Sequence, residues 1–270
     1  MRLRKYFNQY GLCMIAVLPF LIPIIQSLAA SPAEQTMEKY IAVCFMGVLG
    51  DRLSIGSVVW TLFVQLAPNI VLLYIFSGTF LADSETNFVY VLTRCGSVWK
   101  WFFEKTKTLF IQVCLTVFLT FLVAFLCGLL REIHFSGMNG SLYVRFFFFQ
   151  IAPMFVLLFF QNYLSLWIGR SRSFLLLLIF YMFSVLFGFA FYNKPGVVNL
   201  IIKLLPASSQ MYFWHTDSPI LQGLSGVPLT GFTTTFSAIW LSALWVVSCV
   251  VFLVIFKKKD LLTFGKGESD

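Results

Sequence analysis

Charge is scarce in this chain: Asp, Glu, Lys and Arg make up 11% of its 270 residues, against 59% hydrophobic residues and 19% aromatic ones. So little polar surface cannot cover a water-soluble globule of this size, which excludes a soluble enzyme or binding domain. Histidine occurs only at His134 and His215, neither with a partner at metal-ligand spacing, so no metal is expected. The cysteines, Cys13, Cys44, Cys95, Cys114, Cys127 and Cys249, form no CxxC pair and fall mostly in apolar runs. They read as small buried hydrophobes, with only Cys44 in a segment expected outside. There is no GxxxxGK[ST] loop, and GKG at 265–267 follows no strand. A GxSxG elbow, an HExxH helix and a pair of aspartates inside an apolar run are also lacking. No Lys, Asp or Glu in an apolar run marks a proton or sodium relay. The chain is therefore expected to catalyse nothing and to bind no nucleotide, metal or cofactor by itself.

What is present is apolar length. With a mean hydropathy of +0.87, six stretches reach the ~20 residues a spanning helix needs: 11–30, 58–82, 108–130, 144–168, 174–192 and 237–256. None alternates as a barrel strand does, and continuous runs such as FLLLLIFYMFSVLFGFAF (174–191) demand helices, because hydrocarbon offers the backbone no partners. The expected fold class is an all-α polytopic membrane protein with six transmembrane helices, residues 1–270 forming a single transmembrane domain.

Thirteen of the nineteen Lys and Arg residues fall on the side that carries both termini: Arg2, Arg4, Lys5, Arg94, Lys100, Lys105, Lys107, Arg170, Arg172, Lys257, Lys258, Lys259 and Lys266. That side is expected to be cytoplasmic. The net charge of +8 then reads as orientation bias and contact with anionic lipid, and no basic, aromatic-interleaved surface points to nucleic acid. MRLRK followed by an apolar run and SLAAS (27–31) also has the outline of a secretory signal, but the run is longer than the ~7–15 residues of a signal core, so a retained first span is expected. Residues 2–10 suit a short interfacial helix.

The connections differ in character. The outer loop from Ser31 to Ser57 is polar enough to be solvated, and the outer turn from Arg131 to Tyr143 is short. The outer segment 193–235 is long yet apolar, divided by Pro195, Pro206, Pro219 and Pro228. Its piece VVNLIIKLL (197–205) predicts a short interfacial or re-entrant helix, and the whole segment is expected to cap the bundle's outer mouth. The cytoplasmic segment 83–107, DSETNFVYVLTRCGSVWKWFFEKTK, is the one sizeable polar, basic insertion. Its Arg94, Lys100, Lys105 and Lys107 suit docking of a soluble partner or anchoring to anionic lipid, and Trp99, Trp101, Phe102 and Phe103 fit both.

Self-comparison aligns QLAPNIVLLYIF (65–76) with QIAPMFVLLFFQ (150–161), sharing Gln-x-Ala-Pro at one depth of two spans running in the same direction. The match is either a parallel repeat or a coincidence of composition. Pro68 and Pro153 each remove a helix donor, while Gln65, Asn69, Gln150, Gln161 and Asn162 place amides at membrane depth. Interrupted spans of this kind point to a substrate pathway, and the same amides also serve to bond helix to helix.

Six spans with both ends inside, a basic loop after the second span, a tight basic turn after the fourth and a broken outer segment before the sixth together resemble an ABC-2 type permease. Glu85, FVYVLTR (88–94), Gly96-Ser97 and Lys105 occupy the places of that family's acidic residue, coupling helix, turn and lysine. Pro206 with Ser208, Ser209 and Gln210 is similar to its Pro-Ser-containing outer segment. The chain departs from the family pattern in its very tight second cytoplasmic turn and in lacking a large outer domain. The resemblance implies two permease chains, identical or related, each resting on a cytoplasmic ATP-binding subunit that supplies ATP and Mg. Glu85, Arg94, Lys100, Lys105, Arg170 and Arg172 would contact that subunit. The expected function is export of an amphipathic or hydrophobic substrate, such as an antimicrobial peptide, drug or lipid-like product, across a bacterial plasma membrane. The alternatives are a non-transporting immunity or sensor protein and a polysaccharide-exporting permease. A membrane-embedded enzyme would need buried catalytic groups that the sequence lacks.

Overall fold

A computed structural model describes residues 11–28, 36–45, 66–81, 97–135, 140–191, 194, 196–217 and 228–258. The molecule is helical, and among the described residues the only extended pairing is an isolated bridge between Thr36 and His134. Nine helices are distinguished among the described residues: α1 (Gly11–Ile25) and α3 (Leu66–Ile75), α2 (Met37–Phe45), α4 (Val98–Leu130), α5 (Ser141–Ile168), α6 (Arg170–Phe191), α7 (Val197–Leu204), α8 (Pro206–Gln210) and α9 (Thr234–Lys258). Four of them, α4, α5, α6 and α9, are long and apolar enough to cross a membrane. The first two expected spans are represented by the shorter apolar helices α1 and α3. In α1, Leu18–Phe20 tighten to a 3-10 turn at Pro19, and the second span leaves helical geometry after Ile75.

α5 is the axis of the bundle. Two thirds of its spanning window is buried, against about a third or less for α4, α6 and α9, whose outer faces present residues such as Phe118, Ile179 and Val247. A helix apolar all round has no water-seeking face, so position in the bundle, not patterning, decides which side is covered. Near the start of α4 an aromatic knot fastens α4, α5, α9 and the end of the second span. Phe80 meets Trp101, Phe102 and Phe159 edge-on at 6.0, 6.4 and 6.2 Å, while Phe102 stacks on Phe252 at 4.3 Å. Such geometries add about 0.5–1.5 kcal/mol per pair beyond area burial.

The basic segment is not a loop throughout. Ser97 caps α4 by accepting from the Lys100 amide at 3.2 Å, and no Gly or Pro interrupts the helix until Gly128, so residues 98–107 are rigid first turns of a 33-residue rod. The aromatic run divides accordingly: Trp101 and Phe102 enter the core, whereas Trp99 and Phe103 are exposed and stack on each other at 6.1 Å. The other start expected late is that of the fifth span: α6 begins at Arg170, directly after the turn at Gly169, instead of at 174.

Two outer segments are more deeply seated than expected. The solvated loop predicted over 31–57 contains α2, whose Met37, Tyr40, Ile41, Cys44 and Phe45 are buried. Phe45 stacks on Phe121 at 4.3 Å with the rings nearly parallel, about 14 Å down α4 from Leu130 at 1.5 Å per residue. Every third or fourth residue of α2 is apolar, and that stripe outweighs the polar average on which the solvated reading rested. Within the 193–235 segment α7 forms as expected, the Trp240 indole donates to the Leu204 carbonyl at 2.8 Å, and all five residues of α8 are buried. The strand-like return pairs Leu229 N–H with the Trp214 carbonyl and Thr216 N–H with the Phe232 carbonyl at 2.9 and 2.7 Å.

Gly188 is where the cap meets α6. A Cβ there would lie 2.7 Å from the Trp214 ring, which is rigid and fully walled in. Gly188→Val is therefore expected to lower stability by about 1–3 kcal/mol through overpacking. Thermal unfolding in mild detergent, followed by Trp fluorescence, reads the loss; an unchanged midpoint would mean that the cap is not seated on α6.

Candidate functional site

The second span breaks where its sequence reads SGT. Residues 76–80 form turns, with Gly78 at φ +80, a region that L side chains seldom enter. A break inside an apolar bundle frees backbone groups that must find partners. Asn162 of α5 supplies both kinds: its Oδ1 accepts from the Phe80 amide at 3.2 Å and its Nδ2 donates to the Phe76 carbonyl at 3.0 Å. Arg170, at the start of α6, reaches the same turn. Its Nε donates to Ser77 Oγ at 2.9 Å and one terminal nitrogen to the Tyr74 carbonyl at 3.3 Å, with the guanidinium 5.7 Å from the Tyr74 ring centre. A Cβ on Gly78 would stand 3.1 Å from Arg170 Cδ. The tight turn at Gly169 is thus bonded to the broken end of the second span.

Roughly two turns back along α3, a closed ring of hydrogen bonds joins α3, α6 and α8. Asn69 Nδ2 donates to Tyr181 Oη at 2.9 Å, Tyr181 donates to Gln210 Oε1 at 3.0 Å, and Gln210 Nε2 donates to Asn69 Oδ1 at 3.2 Å. Gln150 Nε2 of α5 joins at 3.5 Å from Asn69 Oδ1, leaving its Oε1 buried without a partner. All four side chains are buried. Beside them lies a cavity of about 20 Å³ between Pro23, Phe45, Pro68 and Met211, room for one water on the usual scale of ~10–15 Å³ per probe sphere. The ring holds α3, α6 and α8 together by individually modest bonds of about 1 kcal/mol each, so it can open without unfolding.

A third polar station sits in the outer cap. His215 is fully buried, stacked on Phe232 at 4.3 Å, and its Nε2 lies 2.8 Å from Ser237 Oγ while Nδ1 lies 3.3 Å from the Tyr212 carbonyl. Asp217 caps α9 by accepting from the Thr234 amide at 2.9 Å and from its hydroxyl. Burial pushes the His215 pKa down from 6.5 to about 4, against the pull of the Tyr212 carbonyl and the Asp217 charge. Burial raises the Asp217 pKa, but its Thr234 bonds together overcome that and leave it lowered.

The predicted site residues separate by depth. Asn69 and Gln150 meet, with Pro68 beside them. Pro153 lies buried within α5. Asn162 bridges the break, and Gln161 next to it is buried with neither amide atom partnered. Among the cations, Lys100 and Arg172 are exposed and Lys105 is half-buried on α4 and α6, while Arg170 is engaged with the second span. Gln65, Glu85 and Arg94 lie outside the described residues. The two Gln-x-Ala-Pro segments belong to neighbouring elements, since Asn69 meets Gln150 and both Phe76 and Phe80 meet Asn162. Sequence reasoning named Gln210 only as part of the Pro-Ser-containing outer segment, and missed its bonds to Asn69 and Tyr181, Tyr181 itself and the His215–Ser237 pair. Among the described residues no group of His, Cys, Asp and Glu could hold a metal.

Fold and site together define a helical membrane protein whose polar groups are organised around a broken span. The chain belongs to the family described as a protein of unknown function, DUF2705, whose model matches residues 12–262. No curated protein and no solved structure matches it.

Two outcomes check this geometry. Asn162→Leu leaves the Phe80 amide unpaired and is expected to cost about 1–3 kcal/mol per orphaned group; thermal unfolding in detergent measures it, and a loss below ~0.5 kcal/mol would mean that Asn162 does not support the break. For His215 the folded pKa is below the unfolded one. The stabilisation by the neutral ring is therefore complete above pH 6.5 and is lost as pH falls from 6.5 towards about 4, with a slope of up to ~1.4 kcal/mol per pH unit. The Asp217 contribution is lost only below its ordinary 3.8. Unfolding midpoints are expected to fall between pH 7 and 4.5 in the wild type and to be flatter in His215→Asn; equal slopes would remove His215 as the source.

Proposed function

We propose that this chain is the permease subunit of an ATP-driven exporter of the ABC-2 type, seated in a bacterial plasma membrane and carrying an amphipathic or hydrophobic substrate. Two such chains, identical or related, form one pathway, and each rests on a cytoplasmic ATP-binding subunit. The observation that carries the reading is the latch at Gly78. It ties the end of the second span, which leads into segment 83–97, to Arg170 at the other cytoplasmic turn. Both expected docking points therefore bear on one broken helix.

In this reading, closure of the ATP-binding subunits pushes the segment around Glu85 and Arg94 together with the first turns of α4, where Lys100 and Lys105 lie. The push turns the second span about Gly78 and exchanges the bonds of the Asn69–Tyr181–Gln210 ring, one packed arrangement giving way to another. The cavity beside the ring, with room for a single water, matches a closed pathway. The apolar, aromatic interior favours an amphipathic cargo over a polysaccharide, whose hydroxyl groups would need many more partners.

Purification from native membrane in mild detergent is expected to bring down a stoichiometric ATP-binding protein with ATPase activity. Arg94→Glu combined with Lys105→Glu is expected to abolish stimulation of that activity while the chain remains inserted and its unfolding midpoint holds. Isolation of the chain alone, without ATPase, would replace the exporter by the immunity or sensor reading.

A further inference from the structure

On the flank of the bundle α4, α5 and α9 enclose a groove of about 690 Å³, within the ~300–1,000 Å³ of sites that hold small molecules. Its wall is built by Phe110, Phe148, Ile151 and Phe155, with the Phe110 and Phe155 rings edge to face at 5.2 Å. Phe110 and Phe148 remain 45% and 41% exposed, so the groove opens sideways. One end carries Lys107. Two buried polar atoms in the lining, the Thr106 hydroxyl and the Trp245 indole N–H, have no hydrogen-bond partner. No described residue satisfies them, although an unpaired buried donor costs about 1–3 kcal/mol.

We infer that this groove binds one anionic phospholipid of the surrounding bilayer, with its phosphate at Lys107, its ester carbonyls near Thr106 and Trp245, and its acyl chains along the phenylalanines. The segregation of chemistry within the groove carries the assignment. Lys107 and the partnerless Thr106 hydroxyl lie side by side in the half nearer the start of α4, and the partnerless Trp245 indole stands against Phe155 at 6.2 Å. Towards Val144 the lining is apolar apart from Ser242, whose hydroxyl donates to the Ala238 carbonyl at 2.8 Å. A cation with donors at one end and hydrocarbon at the other match the head, esters and chains of a lipid.

Charge complementarity selects an anionic head. Lys100 and Lys107, seven residues apart, share one face of α4, and a cation near a membrane surface attracts anionic lipid by about 1 kcal/mol. A second copy of the chain fits less well, because helices approach closely across small residues, whereas this wall is of phenylalanine. The site is distinct from the ring at Asn69 and does not rest on the exporter reading.

The test uses the full chain, extracted in mild detergent, exchanged into nanodiscs of phosphatidylglycerol and phosphatidylcholine, and released for native mass spectrometry. One phosphatidylglycerol per chain is expected to be retained in preference to phosphatidylcholine. Lys107→Glu, an exposed position that leaves the fold intact, is expected to lower that preference roughly tenfold, and Lys107→Arg to keep it. Ala152→Phe, which projects into the groove, is expected to expel the lipid, and the bound lipid to slow alkylation of Cys114 in the same wall. Retention indifferent to headgroup and to Lys107→Glu would reduce the lipid to an unspecific annulus and overturn the site. So would a Cys114–Cys114 cross-link between copies lost in Ala152→Phe, or recovery of a peptide in place of lipid.

Discussion

A helix that stops inside an apolar bundle leaves its amides and carbonyls in a medium without water, and the cost of that at Gly78 organises the end of the bundle where α5 gives way to α6. Asn162 is the only side chain among the described residues that bonds to both sides of the break. A primary amide is suited to the task because it offers a donor and an acceptor on one planar group. Arg170 adds charge to the same turn without being placed in hydrocarbon, since its backbone lies at the end of α6 and its guanidinium reaches back over Tyr74. The positive φ of Gly78 and of Gly169 is what brings these groups face to face. Loss of either conformation would leave the other turn without its partners.

α5 carries a member of each polar station: Asn162 at the break, Gln150 at the ring, and Phe149 against the His215 imidazole at 5.0 Å. Twelve residues separate the first two, about 18 Å along the axis at 1.5 Å per residue. A rigid shift of α5 would therefore disturb both together, whereas rotation of α3 about Gly78 would release the ring alone. The unpartnered amide of Gln161 lies at the pivot level. Its burial cost is uncompensated in this arrangement, as is that of the Ser208 and Ser209 hydroxyls on α8.

Hydropathy made the bundle legible because each of the four long helices contains a continuous apolar stretch long enough to span, and the proline-bounded VVNLIIKLL delivered its short helix. The method averages over a window of ~19 residues, so it could not register a five-residue turn within the second span or the buried face of α2, whose Glu38 and Lys39 lower the mean. The amides were recognisable as unusual at membrane depth, but their partners were not. Asn69 reaches Tyr181 and Gln210, more than a hundred residues away in sequence, and no local periodicity encodes such a pairing. Arg170 read as a surface cation for the same reason: its sequence neighbours are polar, and its target Ser77 is set by the fold.

The length of α4 decides how Lys100 and Lys105 are held. Thirty-three residues make a rod of about 50 Å, against a hydrocarbon thickness of ~30 Å. Tilt absorbs only part of such an excess. Trp101 and Phe102 anchor the rod's first turns to Phe80 and Phe252, so the start of α4 is held by the end of the second span and by α9. A force on Lys100 or Lys105 therefore does not dissipate in a loop. It acts on a lever whose fulcrum is the aromatic knot, beside the residues that terminate the break at Gly78, and that mechanical adjacency is independent of what delivers the force.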